Sequence, residues 1–244
     1  MKIVPFVLLI AACGSSNSNP GGGGADASNG ADGRVFMDAP PNVPAMITIA
    51  GTATDSGQNS STPLAGVAIT LKNRTDDSTI ASATSDAQGK YSMSVTTGGH
   101  VVDAYILATK SGYVDAAAFP AAPFAADNAM ADSNLVTTGN FNLLTLYTGQ
   151  QASNGIIVAE ILDASGMPVA GAAVSSSPAA GSYLYSDSNG TPASGSATNT
   201  DGTAFLVNVA PGSVSINATK SAATFKSHAV SAKANMFTST VITE

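Results

Sequence analysis

The 244-residue chain has no tryptophan, one cysteine (Cys13), two histidines (His100 and His228) and only nine lysines and arginines, and each shortage closes off a class of chemistry. A single cysteine forms no internal disulfide. Two histidines far apart in the chain do not supply the clustered His-x-x-Glu plus distant His of a zinc peptidase. Nine basic residues against sixteen acidic ones, for a net charge of −7, exclude the concentrated positive surface that nucleic acid requires. Serine is abundant, yet no Gly-x-Ser-x-Gly elbow occurs. No catalytic residue, metal site or cofactor is therefore expected, and both histidines are read as surface or turn residues.

What is present begins at the amino end. Met1 and Lys2 precede an apolar run, Ile3 to Ala12, that is interrupted early by Pro5. The run is the length of a signal-peptide core and about half of the roughly 20 residues needed to span a bilayer. It ends in Ile10, Ala11, Ala12 and Cys13, which resembles the bacterial lipobox. That resemblance implies cleavage ahead of Cys13, a diacylglycerol on its thiol, and a membrane as the partner. Each buried methylene of the acyl chains contributes about 0.8 kcal/mol, so three chains would hold stably. Gly14, where an aspartate would imply inner-membrane retention, points to the outer membrane, on its periplasmic or extracellular face. Residues 1–12 are then a signal peptide and 13–45 a lipidated tether. Gly14 to Gly33 holds no aliphatic side chain larger than alanine and cannot bury a core. Val35, Phe36 and Met37 interrupt this polarity, either as a patch docking onto the first domain or as more tether.

The remainder contains an internal repeat. Pro63 to Ile69 (PLAGVAI) recurs as Pro168 to Val174 (PVAGAAV). Each copy follows an apolar run ending in aspartate, at Asp55 and Asp163, and precedes a turn, Thr84 to Gly89 or Thr198 to Gly202. Alternating residues come next, Tyr91, Met93 and Val95 matched with Phe205, Val207 and Val209; then Ala108, Thr109, Lys110 returns as Ala218, Thr219, Lys220. Five features in one order predict two domains, 46–149 and 150–244.

Both copies read as strands. Val67, Ile69 and Leu71 alternate with Ala68, Thr70 and Lys72, the period-2 pattern of a half-buried strand, and turn residues recur at intervals suited to a β-sandwich. The fold class expected is all-β, two tandem sandwiches. Between the copies, Phe141 to Tyr147 is predicted as a short helix capped by Asn140 and ended by Gly149, packed against one sandwich or between the two, with a further strand as the alternative. Inside the second copy, 175–196 is an insertion read as a long hairpin loop with a turn at Asp187 to Gly190; its Tyr183 and Tyr185, taken as exposed, are the candidate ligand-contacting residues. Asp127, Asn128, Asp132 and Asn134 form a loop cluster, read as a solvated turn, with calcium as the alternative.

The order strand, Pro-x-Ala-Gly-x-x-Val/Ile, Thr-x-Asp-x-x-Gly-x-Tyr, strand resembles the regulatory-like domain of carboxypeptidases. The first copy carries it at Asp55, Pro63 to Ile69 and Thr84 to Tyr91; in the second, Asn199 stands near the expected aspartate and Phe205 comes one residue late. The resemblance covers roughly 45–114 and 153–244. It implies a seven-stranded transthyretin-like or Ig-like sandwich in each copy, used as an accessory module without catalysis of its own. Enzymes sharing the fold, the hydroxyisourate hydrolases and intradiol dioxygenases, rely on sets of histidine with arginine or tyrosine that this chain lacks. The reading is a displayed lipoprotein with a structural or interaction role, meeting protein or glycan partners at the cell surface. Its alternatives are a carbohydrate or small-ligand binder using the Tyr183 and Tyr185 loop, and an enzyme of unrecognised type, which would require a polar pocket of convergent titratable groups.

Overall fold

The computed structural model describes residues 42–56 and 62–244; the apolar leader, Cys13 and most of the tether lie outside the described residues. The first repeat supplies β1 (Met46–Asp55), β2 (Thr62–Pro63), β3 (Ala68–Asn73), β4 (Thr79–Thr84), β5 (Lys90–Thr96), β6 (Ala104–Thr109) and β7 (Ala116–Phe119). A connecting stretch holds β8 (Ser133–Leu135) and α1 (Thr138–Thr148). The second repeat supplies β9 (Gly155–Leu162), β10 (Ala173–Ser177), β11 (Ser182–Ser186), β12 (Pro192–Ala193), β13 (Thr203–Val209), β14 (Gly212–Lys220), β15 (Ala223–Thr224), β16 (His228–Ala232) and β17 (Phe237–Thr243). The fold is all-β sandwich, as expected.

Period-2 alternation sets the strand faces. In β5, Tyr91, Met93 and Val95 are buried while Ser92 and Ser94 face solvent; its antiparallel partner β1 buries Ile47 and Ile49 on the same side. The first repeat is a sandwich of two layers: β2-β1-β5, with β8 parallel to β1, against β7-β6-β3-β4. The second repeats the plan with β12-β11-β13-β9-β17 against a layer in which β14 pairs with β10, β15 and β16. Strand β17 then runs parallel to β9 on one side and β7 on the other. It fuses one layer from each repeat into a single nine-stranded sheet.

The two remaining layers cover opposite faces of this sheet. Ala116, Ala118 and Val241 pack with β1 and β5 in the first core. Ala117, Ile157, Ala159, Ile161 and Ile242, whose side chains alternate to the other face, pack with Val174, Val214 and Ile216 of the second.

The repeat is visible atom by atom at one corner of each sandwich. Ser85 Oγ donates to Leu64 O at 2.6 Å and accepts from Val67 N at 2.9 Å. Thr198 Oγ1 does the same with Val169 O at 2.6 Å and Ala172 N at 3.0 Å. Gly89 and Gly202 both adopt positive φ, 74° and 66°, with their carbonyls accepting from Ala53 N and Ile161 N. These pairs fix the alignment and correct the matched aromatics. Counting from the glycines, Tyr91 corresponds to Ala204, so Phe205 and Val207 point to the opposite face, toward α1. A one-residue offset in a strand reverses the face of every side chain.

Helix α1 forms where predicted, with a different start. Thr137, and not Asn140, is the N-cap: its Oγ1 accepts from Asn140 N at 3.2 Å. Gly149 ends the helix in the left-handed conformation, φ 71°. Phe141 is buried and Leu144 partly so, packed with Val114 and Val136 onto Ile156, Val158, Phe205 and Phe237. The helix thus lies over the second repeat while resting on residues that precede it from the first.

Candidate functional site

Charged and aromatic side chains gather where the repeats meet. The rings of Tyr105 (β6) and Phe119 (β7) stack with centroids 4.6 Å apart and planes 10° from parallel. Both are almost fully buried, under the second repeat's covering layer. Arg74, just past β3, places its guanidinium 5.4 Å from the Phe119 centroid, and Lys233, just past β16, places its ammonium 5.6 Å from that of Tyr105. Each cation gains roughly 0.5–1 kcal/mol from a ring face at a partly exposed site. Lys233 Nζ donates to Asp77 Oδ2 at 2.7 Å, and the Tyr105 hydroxyl donates to Asp77 Oδ1 at 2.9 Å. Arg74 pairs with Asp103 at 3.3 Å and donates to the carbonyl of Ala229 in β16. The hydrogen bond from Lys233 is the main reason the Asp77 carboxyl is held below its ordinary range. Burial raises the Tyr105 phenol. Burial also works against the Lys233 charge, but the hydrogen bonds to Asp77 and Tyr105 prevail and raise it.

His228 lies beside this joint in β16 and is 8% exposed, so the expected surface position is corrected. Its sequence neighbours alternate out of the core, and the imidazole faces in. Burial, with the nearby Arg74 charge, pushes it down to about 4, and Nε2 has no hydrogen-bond partner among the described residues. A second half-hidden group, Glu160, stands in β9 between Thr203 and Val241 on the adjacent strands. Burial, with Asp201 close by, raises it to about 7.

The residues singled out from sequence are placed as follows. Cys13 lies outside the described residues. Tyr185 is buried, correcting its expected exposure, and its hydroxyl accepts from Val174 N at 3.1 Å. The Tyr183 hydroxyl accepts from Ser176 N at 3.1 Å and Ala180 N at 3.2 Å. Both phenols reach from β11 across to β10 and tie the two layers of the second repeat together. The 175–196 insertion is accordingly built into the fold: β11 joins the nine-stranded sheet beside β13, and β11 and β12 make the hairpin, with Asp187 Oδ1 accepting from Asn189 N and Thr191 N in its turn.

The acidic loop runs along β1. Asp127 accepts from Thr48 N, Asp132 from Thr52 N, both at 2.7 Å, and Asn134 from Thr54 Oγ1 at 2.5 Å. These side chains are spread along the strand and tie the loop to it. Among the described residues no three His, Cys, Asp or Glu side chains converge as a metal set. His100 is exposed in a turn. A void of about 10 Å³ between Ile106, Phe124 and Ala131 has room for one water at most.

Sequence reasoning missed Arg74, Asp77, Tyr105, Phe119 and Lys233. Nothing local marks them, because the partners are up to 156 residues apart. The one available signal is scarcity: in a chain with nine cations, those beside strand ends are candidates for structural pairing.

Comparison with protein-family models gives no match, and neither does comparison with curated proteins. Among solved structures, the chain is similar to the Bacillus anthracis TIE protein at 12% identity over 81% of this chain and 33% of that one, TM-score 0.27. It thus spans about a third of that protein's length. It is also similar to the shaft pilin of Lactobacillus rhamnosus GG, at 13% identity over 81% of this chain and 97% of that one, TM-score 0.26. A third similarity is to the minor pilin of Streptococcus agalactiae, at 12% identity, 81% and 96% coverage and TM-score 0.27. The assignment of this chain to the β-sandwich proteins rests on its own strand pairing.

Proposed function

We propose that the chain is a membrane-anchored lipoprotein, displayed at the cell surface or in the periplasm, with a structural or interaction role and no catalysis of its own. The observation that carries this reading is Ile10-Ala11-Ala12-Cys13 directly behind a signal-length apolar run. It is supported by how the folded part uses its polar groups. Asp77, Asp103, Arg74 and Lys233 are committed to the joint, and Tyr183, Asp127 and Asp132 to backbone amides. Among the described residues no helix is long and apolar enough to cross a membrane; in this reading Cys13 is the attachment.

In this reading residues 1–12 are removed, 13–45 tether, and 46–149 and 150–244 are the displayed domains. The outer membrane is the destination, with protein or glycan partners to be captured by crosslinking in intact cells. The test is Cys13→Ser with fractionation and acyl-chain labelling. The parent chain should label and sediment with membranes while the variant does neither; a variant that still sediments overturns the anchor.

A further inference from the structure

Helix α1 carries no charged residue, and its two sides are unlike a normal surface helix. Phe141 and Leu144 face the core, while Leu143, Leu146 and Tyr147, three and four residues apart and so on one stripe, are 47%, 82% and 63% exposed. A helix that is apolar on both sides has a second apolar partner or a lipid environment. We propose that the Leu143–Leu146–Tyr147 stripe rests on the bilayer that holds the anchor, so that the lipid tether and α1 together fix which face of the sandwich is turned to the membrane. This rests on the lipid anchor proposed above.

Three observations favour a membrane over a second copy of the chain. The stripe exposes on the order of 300 Å² of apolar surface, judged from whole aromatic and aliphatic side chains, against roughly 800 Å² per partner in a standard protein interface. It suits an acyl surface, which needs no complementary shape, and places a tyrosine where interfacial aromatics sit. Reach is ample: the 42 − 13 = 29 Cα-to-Cα steps from Cys13 to Asn42 set an upper bound of roughly 100 Å, whereas a body of this size has a radius of gyration of about 17 Å. A tether of this kind also holds the stripe near the surface at an effective concentration of about a millimolar, so a weak contact suffices. With no lysine or arginine on the helix and a net charge of −7, the contact depends on apolar burial and not on anionic lipid.

The chain's lack of tryptophan makes the test direct. Leu146→Trp introduces a single indole at an exposed site, and the free Cys13 thiol of unlipidated chain, made by cell-free synthesis, is coupled to a maleimide-headgroup phospholipid in phosphatidylcholine vesicles, which anchors the chain without relying on lipidation in cells. An indole buried about 5–10 Å below the headgroup boundary shifts to the blue and is quenched by acyl-brominated lipid. Ile80→Trp on β4, coupled alike, does neither, and adding Leu143→Asp to the Leu146→Trp chain abolishes the shift. Unchanged emission on tethering overturns the proposal, as does a shift that appears without vesicles and grows with protein concentration, the mark of a second copy. Failure of cellular lipidation shows separately, in the Cys13→Ser fractionation.

Discussion

Lys233 of the second repeat holds Asp77 of the first at 2.7 Å, and Tyr105 binds the other oxygen of the same carboxylate. Both charged side chains remain substantially open to water. The pair therefore orients the repeats more than it stabilises them. Lys233→Ala should cost under about 1 kcal/mol in urea unfolding, whereas Phe119→Ala, which empties the buried stack, should cost about 3–5 kcal/mol. A larger loss at Lys233 than at Phe119 would reverse this account of the joint.

Glu160 and His228 are expected to oppose each other in pH dependence. The Glu160 carboxyl is raised from 4.5 to about 7, so the folded chain keeps a proton the unfolded chain releases; the stability it confers is complete below about 4.5 and is lost as pH rises to about 7. The imidazole is lowered from 6.5 to about 4, so its contribution is complete above 6.5 and is lost as pH falls to about 4. Each amounts to roughly 3 kcal/mol, and over the shared window the slopes largely cancel. Glu160→Gln should leave stability rising with pH across that window, and His228→Phe should leave it falling. Denaturant midpoints at three pH values decide; variants that both follow the parent curve would remove the two groups from the account.

The corner glycines give a matched pair. A Cβ on Gly89 would lie 2.5 Å from Ala53 O, and one on Gly202 2.6 Å from Ile161 O, both with positive φ. Alanine at either should therefore destabilise by more than about 1 kcal/mol, since strained φ and a backbone clash combine. Gly166 also has positive φ, but an added Cβ there would meet no described atom within 4 Å beyond its chain neighbours, so the same change should show a smaller loss. Equal losses at all three positions would mean that φ alone matters.

The strands were legible because one face of each is buried, which writes a period of two into Ile47 and Ile49 or Tyr91, Met93 and Val95. The second repeat's register was harder to read. Its β13 is buried on both faces, under α1 and under the opposing layer, so Thr203–Val209 is a nearly continuous buried run in which alternation vanishes. Tyr183 and Tyr185 looked available because composition does not reveal that the amides of Val174 and Ser176 are waiting across the sandwich. The joint was invisible for the same reason, as its members meet only once β17 has paired.

The helix start illustrates the remaining margin. Thr137 and Asn140 are both capping residue types, and only the backbone, extended at Thr137 with ψ 147°, separates them. Thr137→Ala should cost about 1 kcal/mol in thermal unfolding, while Asn140→Ala should be close to neutral; the reverse order would restore the cap read from sequence.

The parallel seating of β17 between β7 and β9 also orders assembly in time. During synthesis from the amino end, β7 emerges more than a hundred residues before the strand that pairs its free edge, and β9 waits as well. Until residues 237–243 arrive, the nascent chain exposes two open strand edges of the kind that recruit foreign strands. Closure of both edges therefore falls on this one late strand: a chain cut short before Phe237 keeps nearly all of its core residues yet leaves β7 and β9 without the strand that pairs them.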